Sequence, residues 1–472
     1  MSNILNLTGF DISELISRSE LSPVDLYNNY SSQIDKFEPK INAFLKIFDN
    51  WKEKAIIAEK EISRGNYIGP LHGIPIAIKD LINVKGENTS AGSKILSNNI
   101  AAKSAVIVSA LESAGAIIIG KTALVEFAFG PHGINSNSKQ TKNPWNLEFI
   151  PGGSSSGSAA AVASNMTPYA IGSDTGGSIR MPASFCGVTG FKPSFNKLST
   201  DGVFPLSWSL DTIGPLAKST KDCSMFVEEI CKHQQANKNL DPYDGFTTSM
   251  IDNFDSLLPV RLRVGVPNDE YFSNLDDEVA KIFNESVELM KQNGAEIVQV
   301  DLSWLSIARP VNLVITLAEA MRIHNIWLSS NFNDYTYEVI SRLIAGEGLS
   351  ASDYLSALRV MTYIQEKIQK EFDNFDILAC PTTPELPGMV SDYSKDNLSK
   401  SNNVVGGRIP AFTSIFNVTR HPSLSTIAGF SSSELPVGIM FTGRFNRDFG
   451  VLQVGNWFEK INYQNRERRI RV

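Results

Sequence analysis

The sequence predicts an α/β protein built on an open, largely parallel β-sheet, and three observations carry that expectation. Short apolar runs rich in β-branched residues alternate with helical stretches, which is the pattern of βαβ units. No apolar run approaches the roughly 20 residues that a membrane span needs. Hydrophobic residues make up 42% and charged residues 20% of 472 positions, enough to build a substantial core. Length alone suggests about three domains, although large α/β enzymes often keep one sheet at this size.

The elements follow in chain order. The first 65 residues read as helical: SPVDLYNNYSSQIDKF offers Ser22 as a cap with Pro23 at the first helical position, and WKEKAIIAEKEISRG closes on Gly65. GIPIAIKD follows the turn GPLHG and reads as a buried strand ending at Lys79 and Asp80. KSAVIVSALESAG predicts a helix and AIIIGK a strand. After the serine-rich PGGSSSGSAAAVASN come a small-residue helix, the strand TPYAIGSD, a turn at TGG and a short helix from Ser178. RLRVGVPND, DDEVAKIFNESVELMKQNG and AEIVQVDL read as strand, helix and strand. Residues 311–373 are mostly helical and lead into FDILACPTTP, a buried strand running into a Pro-rich loop. The polar SDYSKDNLSKSNN at 391–403 is the candidate mobile surface loop.

Composition excludes several function classes. A net charge of −7 leaves no basic footprint, so no direct nucleic-acid partner is expected. Cys186, Cys223, Cys231 and Cys380 are too sparse for a disulfide framework and show no C-x-x-C spacing. The five histidines form neither H-E-x-x-H nor H-x-H, so no metal is expected. MSNILNLTGFDISEL lacks the charged and then apolar layout of a secretory signal, which predicts a cytoplasmic protein with no membrane attachment.

PGGSSSGSAAA raises the question of why so many hydroxyls stand beside so little side chain. A P-loop would need Lys after Gly157, where Ser158 stands, and no G-x-G-x-x-G is present. Gly153 to Gly157 matches the G-x-S-x-G nucleophile elbow, with His233, His324 and His421 downstream, yet the preceding KNPWNLEFIPG reads as loop where an elbow requires a strand. The plainest reading is a glycine turn capping a helix. In GSDTGGSIRMPASFCG, Gly176 and Gly177 precede Ser178, so backbone N–H groups could approach a substrate carbonyl unobstructed. Alternatively, Ser178 only caps the short helix that follows. Lys79, at the end of an apolar strand, is either a base made usable by burial or a solvated loop charge that Asp80 keeps protonated.

Together, GIPIAIKD, PGGSSSGSAAA and GSDTGGSIRMPASFCGVTGFKP resemble the three motif blocks of the amidase signature family. The intervals 154 − 79 = 75 and 178 − 154 = 24 agree with that family's lysine, relay serine and nucleophile. GKTALVEFAFG, NPWN, SLDTIGPLAKS, LACPTTP, FNVTRHPSLSTIAG and LPVGIMFTG are similar to family segments too, so the resemblance spans nearly the whole chain. It implies a large mixed, mainly parallel twisted sheet flanked by helices on both faces, in one domain over 1–472 with a helical segment 1–65 packed on it. It implies that Ser178 is the nucleophile, that Ser154, after a cis Gly153–Ser154 peptide, relays the proton, and that Lys79 is the base. Backbone N–H groups of the turn holding Thr175, Gly176 and Gly177 would bind the oxyanion, with Asp174 and Arg180 as an ion pair holding that turn.

No cofactor is implied, the substrate is a small-molecule amide, and a homodimer is compatible with the sequence. The main expectation is a free-standing amidase. The alternative is the glutaminase (A) subunit of a glutamyl- or aspartyl-tRNA amidotransferase, which needs a partner subunit. That subfamily usually has Gln after Ser-Ile-Arg, where Met181 stands, and a Tyr- and Gly-containing motif with a substrate-binding Arg, which is not found between Leu302 and Ser350. A third reading, a non-catalytic amide binder, sits poorly with three retained catalytic positions. His132 is expected near the pocket mouth as a loop histidine.

Overall fold

The computed structural model describes residues 4–234, 261–393, 397 and 407–466. Apart from 391–393 and 397, the loop expected at 391–403 therefore lies outside the described residues. Strands β1 (Phe44–Ile47), β2 (Pro75–Lys79), β3 (Ile117–Thr122), β4 (Tyr169–Asp174), β5 (Thr189–Lys192), β6 (Thr212–Ala217), β7 (Arg263–Pro267), β8 (Glu296–Val300), β9 (Ile377–Pro381), β10 (Ser423–Phe430) and β11 (Pro436–Thr442) form one sheet. Their order is β1-β3-β2-β4-β6-β5-β10-β11-β9-β7-β8.

The sheet is mixed and the class α/β, as expected, but parallel pairing has less weight than expected. β2 pairs in parallel with β3 and β4, and β7 with β8 and β9. The six remaining pairings are antiparallel: β1 with β3, β4 with β6, β6 with β5, β5 with β10, β10 with β11, and β11 with β9. Chain length explains part of this, because only residues 431–435 join β10 to β11, too few for the crossover that parallel neighbours require.

At the N-terminus lie α1 (Gly9–Ser17), α2 (Pro23–Ile41) and α3 (Trp51–Ser63). The Ser22 hydroxyl accepts the Asp25 N–H while the Asp25 carboxylate accepts the Ser22 N–H, so the predicted cap is a full capping box. α2 buries Leu26, Tyr30, Ile34, Phe37 and Ile41, the stripe that its 3.6-residue period brings to one face. β1 was not expected in this helical stretch; it is four residues long, only partly buried, and lies at the sheet edge.

Next come α4 (Val106–Ser113), α5 (Ser156–Ala163), α6 (Arg180–Cys186) and α7 (Thr220–Gln234). The tiny side chains of α5 have a packing reason: a Cβ on Gly157 would lie 2.2 Å from the Ala43 carbonyl oxygen and 2.5 Å from Ala123 N. Beyond residue 261 follow α8 (Glu270–Ser273), α9 (Asp277–Gln292), α10 (Ala308–Asn331), α11 (Tyr337–Glu347), α12 (Ala351–Glu371), α13 (Ile415–Val418), α14 (Asp448–Ile461) and α15 (Tyr463–Arg466). A second apolar cluster, with Ile315, Ile364, Ile368, Phe375 and Phe412, joins α10 and α12 to the sheet. No described helix is long and apolar enough to cross a membrane. The four cysteines are buried and free.

Candidate active site

Lys79 ends β2, a strand buried along its whole length, and its own side chain is 0% exposed. An amine taken out of water must spend its donors on protein. The Nζ donates to Ser154 Oγ at 2.8 Å, Ser155 Oγ at 2.9 Å and Ser173 Oγ at 2.8 Å. These partners are neutral hydroxyls: all three can accept from the ammonium, and when the amine is neutral, with two N–H groups, one of them turns to donate to its lone pair. Burial pushes Lys79 down to about 7, against the opposing pull of Asp174 and Asp211. Asp80 does not hold it protonated: its carboxylate pairs with Lys121 at 3.3 Å and accepts the Ser90 N–H and hydroxyl at 3.0 and 2.5 Å.

The serine-rich turn closes on this amine. The Gly153–Ser154 peptide is cis. Gly152 has φ +75, and a Cβ there would lie 3.0 Å from Phe185 and Pro182 atoms. The Ser154 carbonyl accepts the Val125 N–H at 3.1 Å, and Ser155 N–H donates to the Ser178 carbonyl at 3.2 Å. Ser155 Oγ donates to the Ser173 carbonyl at 3.2 Å, and Ser158 Oγ to the Ile171 carbonyl at 2.9 Å. The surplus hydroxyls thus tie the turn and α5 to β4. Ser178 is 6% exposed and sits across that backbone bond from the turn. Among the described residues no hydrogen bond joins the Ser154 and Ser178 hydroxyls.

The second turn, 174–179, is held from several sides. Arg180 Nε and Nη2 donate to Asp174 Oδ2 and Oδ1 at 3.0 and 2.9 Å, and both side chains are 0% exposed. Burial alone would raise Asp174, but the Arg180 guanidinium outweighs it and holds the carboxyl down to about 2. Asn417 Nδ2 donates to the Asp174 carbonyl and carboxylate, both at 2.9 Å. The Thr175 hydroxyl donates to Asp211 Oδ1 at 2.5 Å, Asn312 Nδ2 donates to the Thr175 carbonyl at 3.0 Å, and the Thr413 hydroxyl donates to the Gly176 carbonyl at 2.7 Å.

One expectation changes here. The Gly177 N–H donates to Asp174 Oδ1 at 2.7 Å, so in this structure it is committed and not open to an oxyanion. The N–H groups of Gly176 and Ser178 carry no hydrogen bond to a described residue. Gly177 serves conformation instead, with φ +127 and room for no Cβ: one would lie 2.1 Å from Thr413 Oγ1.

Sequence reasoning passed over Asp211, Asn312 and Thr413, which hold this turn, and Ser173, which completes the lysine's shell. Asp211 lies in SLDTIGPLAKS and Asn417 in FNVTRHPSLSTIAG, segments noted only for their resemblance. A small cavity beside the turn is lined by Ser173, Thr175, Asp211, Leu81, Phe204 and Ile213. Two of the three histidines open to the nucleophile-elbow reading are engaged elsewhere. His324 Nδ1 meets the Tyr335 hydroxyl at 3.0 Å and His421 Nδ1 the Thr419 carbonyl at 2.7 Å, while burial pushes them down to about 4 and about 3. His132 is buried, with Nδ1 3.1 Å from Glu338 Oε1.

Known proteins resemble this chain over most of its length. The amidase family model matches residues 25–452. The chain is 35% identical to the A subunit of glutamyl-tRNA(Gln) amidotransferase from Protochlamydia amoebophila (strain UWE25), covering 96% of each chain. It is 33% identical to the subunit of the same name from Heliobacterium modesticaldum (strain ATCC 51547 / Ice1), again over 96% of each. Among solved structures, one described simply as an amidase superposes with a TM-score of 0.85 at 29% identity, covering 96% of this chain and 99% of that one. The A subunit of glutamyl-tRNA(Gln) amidotransferase from Thermotoga maritima superposes with a TM-score of 0.76 at 29% identity, covering 97% and 95%. With the family model spanning most of its length and full-length relatives above 30% identity, this chain belongs to the amidase family and is an enzyme of amide C–N bond cleavage.

Proposed function

We propose that Ser178 attacks the amide carbonyl and forms an acyl-enzyme, with Ser154 carrying the proton between Ser178 and Lys79. The observation that carries this reading is a wholly buried amine, brought down to about 7, standing 2.8 Å from the hydroxyl oxygen of Ser154, within reach of its proton. As the Ser178 Oγ–C bond forms, Ser154 takes the Ser178 proton and passes its own to neutral Lys79, while the carbonyl electron pair moves onto oxygen beside the Gly176 and Ser178 N–H groups. Each such donor is worth about 3 kcal/mol to the transition state. Collapse breaks the C–N bond, and the proton returns through Ser154 to the leaving nitrogen. Water then attacks the acyl carbon under the same base and releases the acid. Ser178→Ala and Lys79→Ala should each abolish hydrolysis in a folded protein, and Ser154→Ala should keep a trace; turnover in Ser178→Ala at the wild-type rate would overturn the assignment.

For the substrate, the relatives change the balance. Identity of 35% across 96% of both chains to an amidotransferase A subunit favours the glutaminase-subunit reading over the free-standing enzyme expected from sequence. We therefore propose that the side-chain amide of glutamine is cleaved, in the cytoplasm, with a partner subunit receiving the ammonia. Met181 and the structural likeness to an amidase at TM-score 0.85 keep a free-standing amidase as the second reading. Ammonia release from glutamine, measured beside a panel of aliphatic and aryl amides, decides between them. Glutamine as the preferred substrate supports the glutaminase reading, and rapid turnover of simple amides with none of glutamine supports the second reading.

A further inference from the structure

Two buried carboxylates join α11 to the loop 125–133, and neither has a part in the chemistry above. Glu126, on the loop, accepts the Thr336 N–H just ahead of α11 at 2.7 Å, with the Ser93 hydroxyl at 2.7 Å and Asn137 Nδ2 at 2.8 Å completing its shell. Glu338, on α11, is 4% exposed; its Oε1 lies 3.1 Å from His132 Nδ1 and 3.0 Å from the Arg342 guanidinium. Arg342 in turn donates to the Phe129 carbonyl at 3.0 Å. Between these anchors the backbone at Phe127 and Ala128 is left-handed, with φ +51 and +59, a conformation that non-glycine residues keep only where surroundings impose it.

The far side of the loop touches the serine turn. Val125 N–H donates to the Ser154 carbonyl. A Cβ on Gly153 would lie 2.7 Å from Gly133 N, 2.9 Å from a Val125 methyl and 3.0 Å from the Gly130 carbonyl oxygen. A Cβ on Gly130 would lie 2.3 Å from Glu338 Oε1. From Glu338 to the Ser154 backbone there is thus one layer of chain, packed on both sides to contact.

We infer that Glu338 is a positioning residue for Ser154, acting through His132, Arg342 and the loop 125–133. This rests on the reading of Ser154 as the proton relay. The loop fixes where the Ser154 backbone stands, and α11 fixes the loop. A misplacement of the relay by a fraction of an ångström lowers the rate of proton transfer and leaves substrate affinity almost alone.

The test is a double-mutant cycle on the rate at which phenylmethylsulfonyl fluoride sulfonylates Ser178, with kinact separated from KI. In that step the Ser178 Oγ–S bond forms, the S–F bond breaks, fluoride leaves, and the Ser178 proton goes to the base. Glu338→Ala should lower kinact by about 10- to 100-fold with KI within about twofold, and His132→Ala should do so to a smaller degree. Combined with Ser154→Ala, either substitution should add less than about threefold, because a residue that acts through Ser154 has nothing left to position. A merely structural ion pair would multiply its full factor onto the Ser154→Ala loss, and that additivity overturns the inference, as does a wild-type kinact in both single variants. His132→Ala leaves the Glu338–Arg342 pair in place, so it carries the test if Glu338→Ala does not fold. If Ser154→Ala alone reacts at the wild-type rate, the relay reading itself falls, an outcome separate from additivity.

Discussion

Lys79 and Lys192 are both 0% exposed, and burial pushes each amine down to about 7, helped at Lys192 by the nearby Arg180 charge. Their surroundings set them apart: Lys79 donates to three hydroxyls that pass into the serine turns, whereas Lys192 donates to the Pro193 carbonyl at 2.8 Å. For Lys79 the consequence is kinetic. With the neutral amine as the proposed base, predominating above about 7, kcat/KM should climb tenfold per pH unit below that point and level off above it. A flat profile from pH 5 to 9 would remove Lys79 from the proton path. For Lys192 the consequence is thermodynamic. An unfolded lysine holds its proton to about 10.4, so between about 7 and 10.4 the unfolded chain binds more protons than the folded one, and this group's contribution to stability rises with pH. Below about 7 its full cost of burial is present. Lys192→Met should therefore be more stable than wild type at pH 6, with the difference in unfolding free energy narrowing steadily toward pH 10; a constant difference would show that Lys192 stays charged when folded.

Among the elements, the turn 174–179 shows how far a local sequence can be read. Two consecutive glycines beside Ser178 marked a place where backbone approaches something, and Asp174 with Arg180 was legible as a pair because six positions bring them to the two ends of one turn. The remaining partners were not legible: Asp211, Asn312 and Thr413 reach this turn from 36, 137 and 237 residues away, a placement set by the path of the sheet. The same limit separates the strands that were found, β2, β3, β4, β7, β8 and β9, from the β1 edge strand and from the pairing directions at the centre. Burial leaves its mark on composition; pairing depends on which strand arrives alongside. The glycines also differ in what they tolerate. A Cβ at Gly177 would meet Thr413 at 2.1 Å with φ +127, while at Gly176 the nearest atom, Asn312 Oδ1, lies at 3.3 Å. Gly177→Ala should lower kcat/KM by about 100-fold and also the Tm, since it displaces both the turn and Thr413. Gly176→Ala should keep a near-wild-type Tm, and equal Tm losses in the two variants would contradict this account of the turn.

For the whole molecule, the question is whether residues 1–65 are a separable preamble or part of the fold, and contacts at both ends of the segment favour the second. The Phe10 N–H donates to the Asp222 carboxylate at 2.8 Å, and Lys218 Nζ donates to the Leu7 carbonyl at 3.0 Å. A Cβ on Gly9 would lie 2.2 Å from the Tyr169 hydroxyl, so α1 rests against β4. Farther along, the Ala43 carbonyl accepts the Ala123 N–H at 2.8 Å and stands against Gly157 of α5, the helix that begins at Ser156 beside the lysine's hydroxyl partners. β1 covers the edge of β3, and an exposed edge next to a buried parallel strand invites association with other chains. Ile12, Ile16, Leu26, Tyr30, Ile34, Phe37, Ile41 and Trp51 all lie in the core. Their removal would open to water the apolar surface that they cover, at roughly 25 cal/mol per Å². A chain beginning at residue 66 should therefore be recovered as aggregate, or as a soluble species without a cooperative thermal transition, and in neither form should Ser178 react with phenylmethylsulfonyl fluoride. A monodisperse truncated chain that melts cooperatively and labels at the full-length rate would mean that the segment is an appendage and that the site is complete without Ala43 and β1.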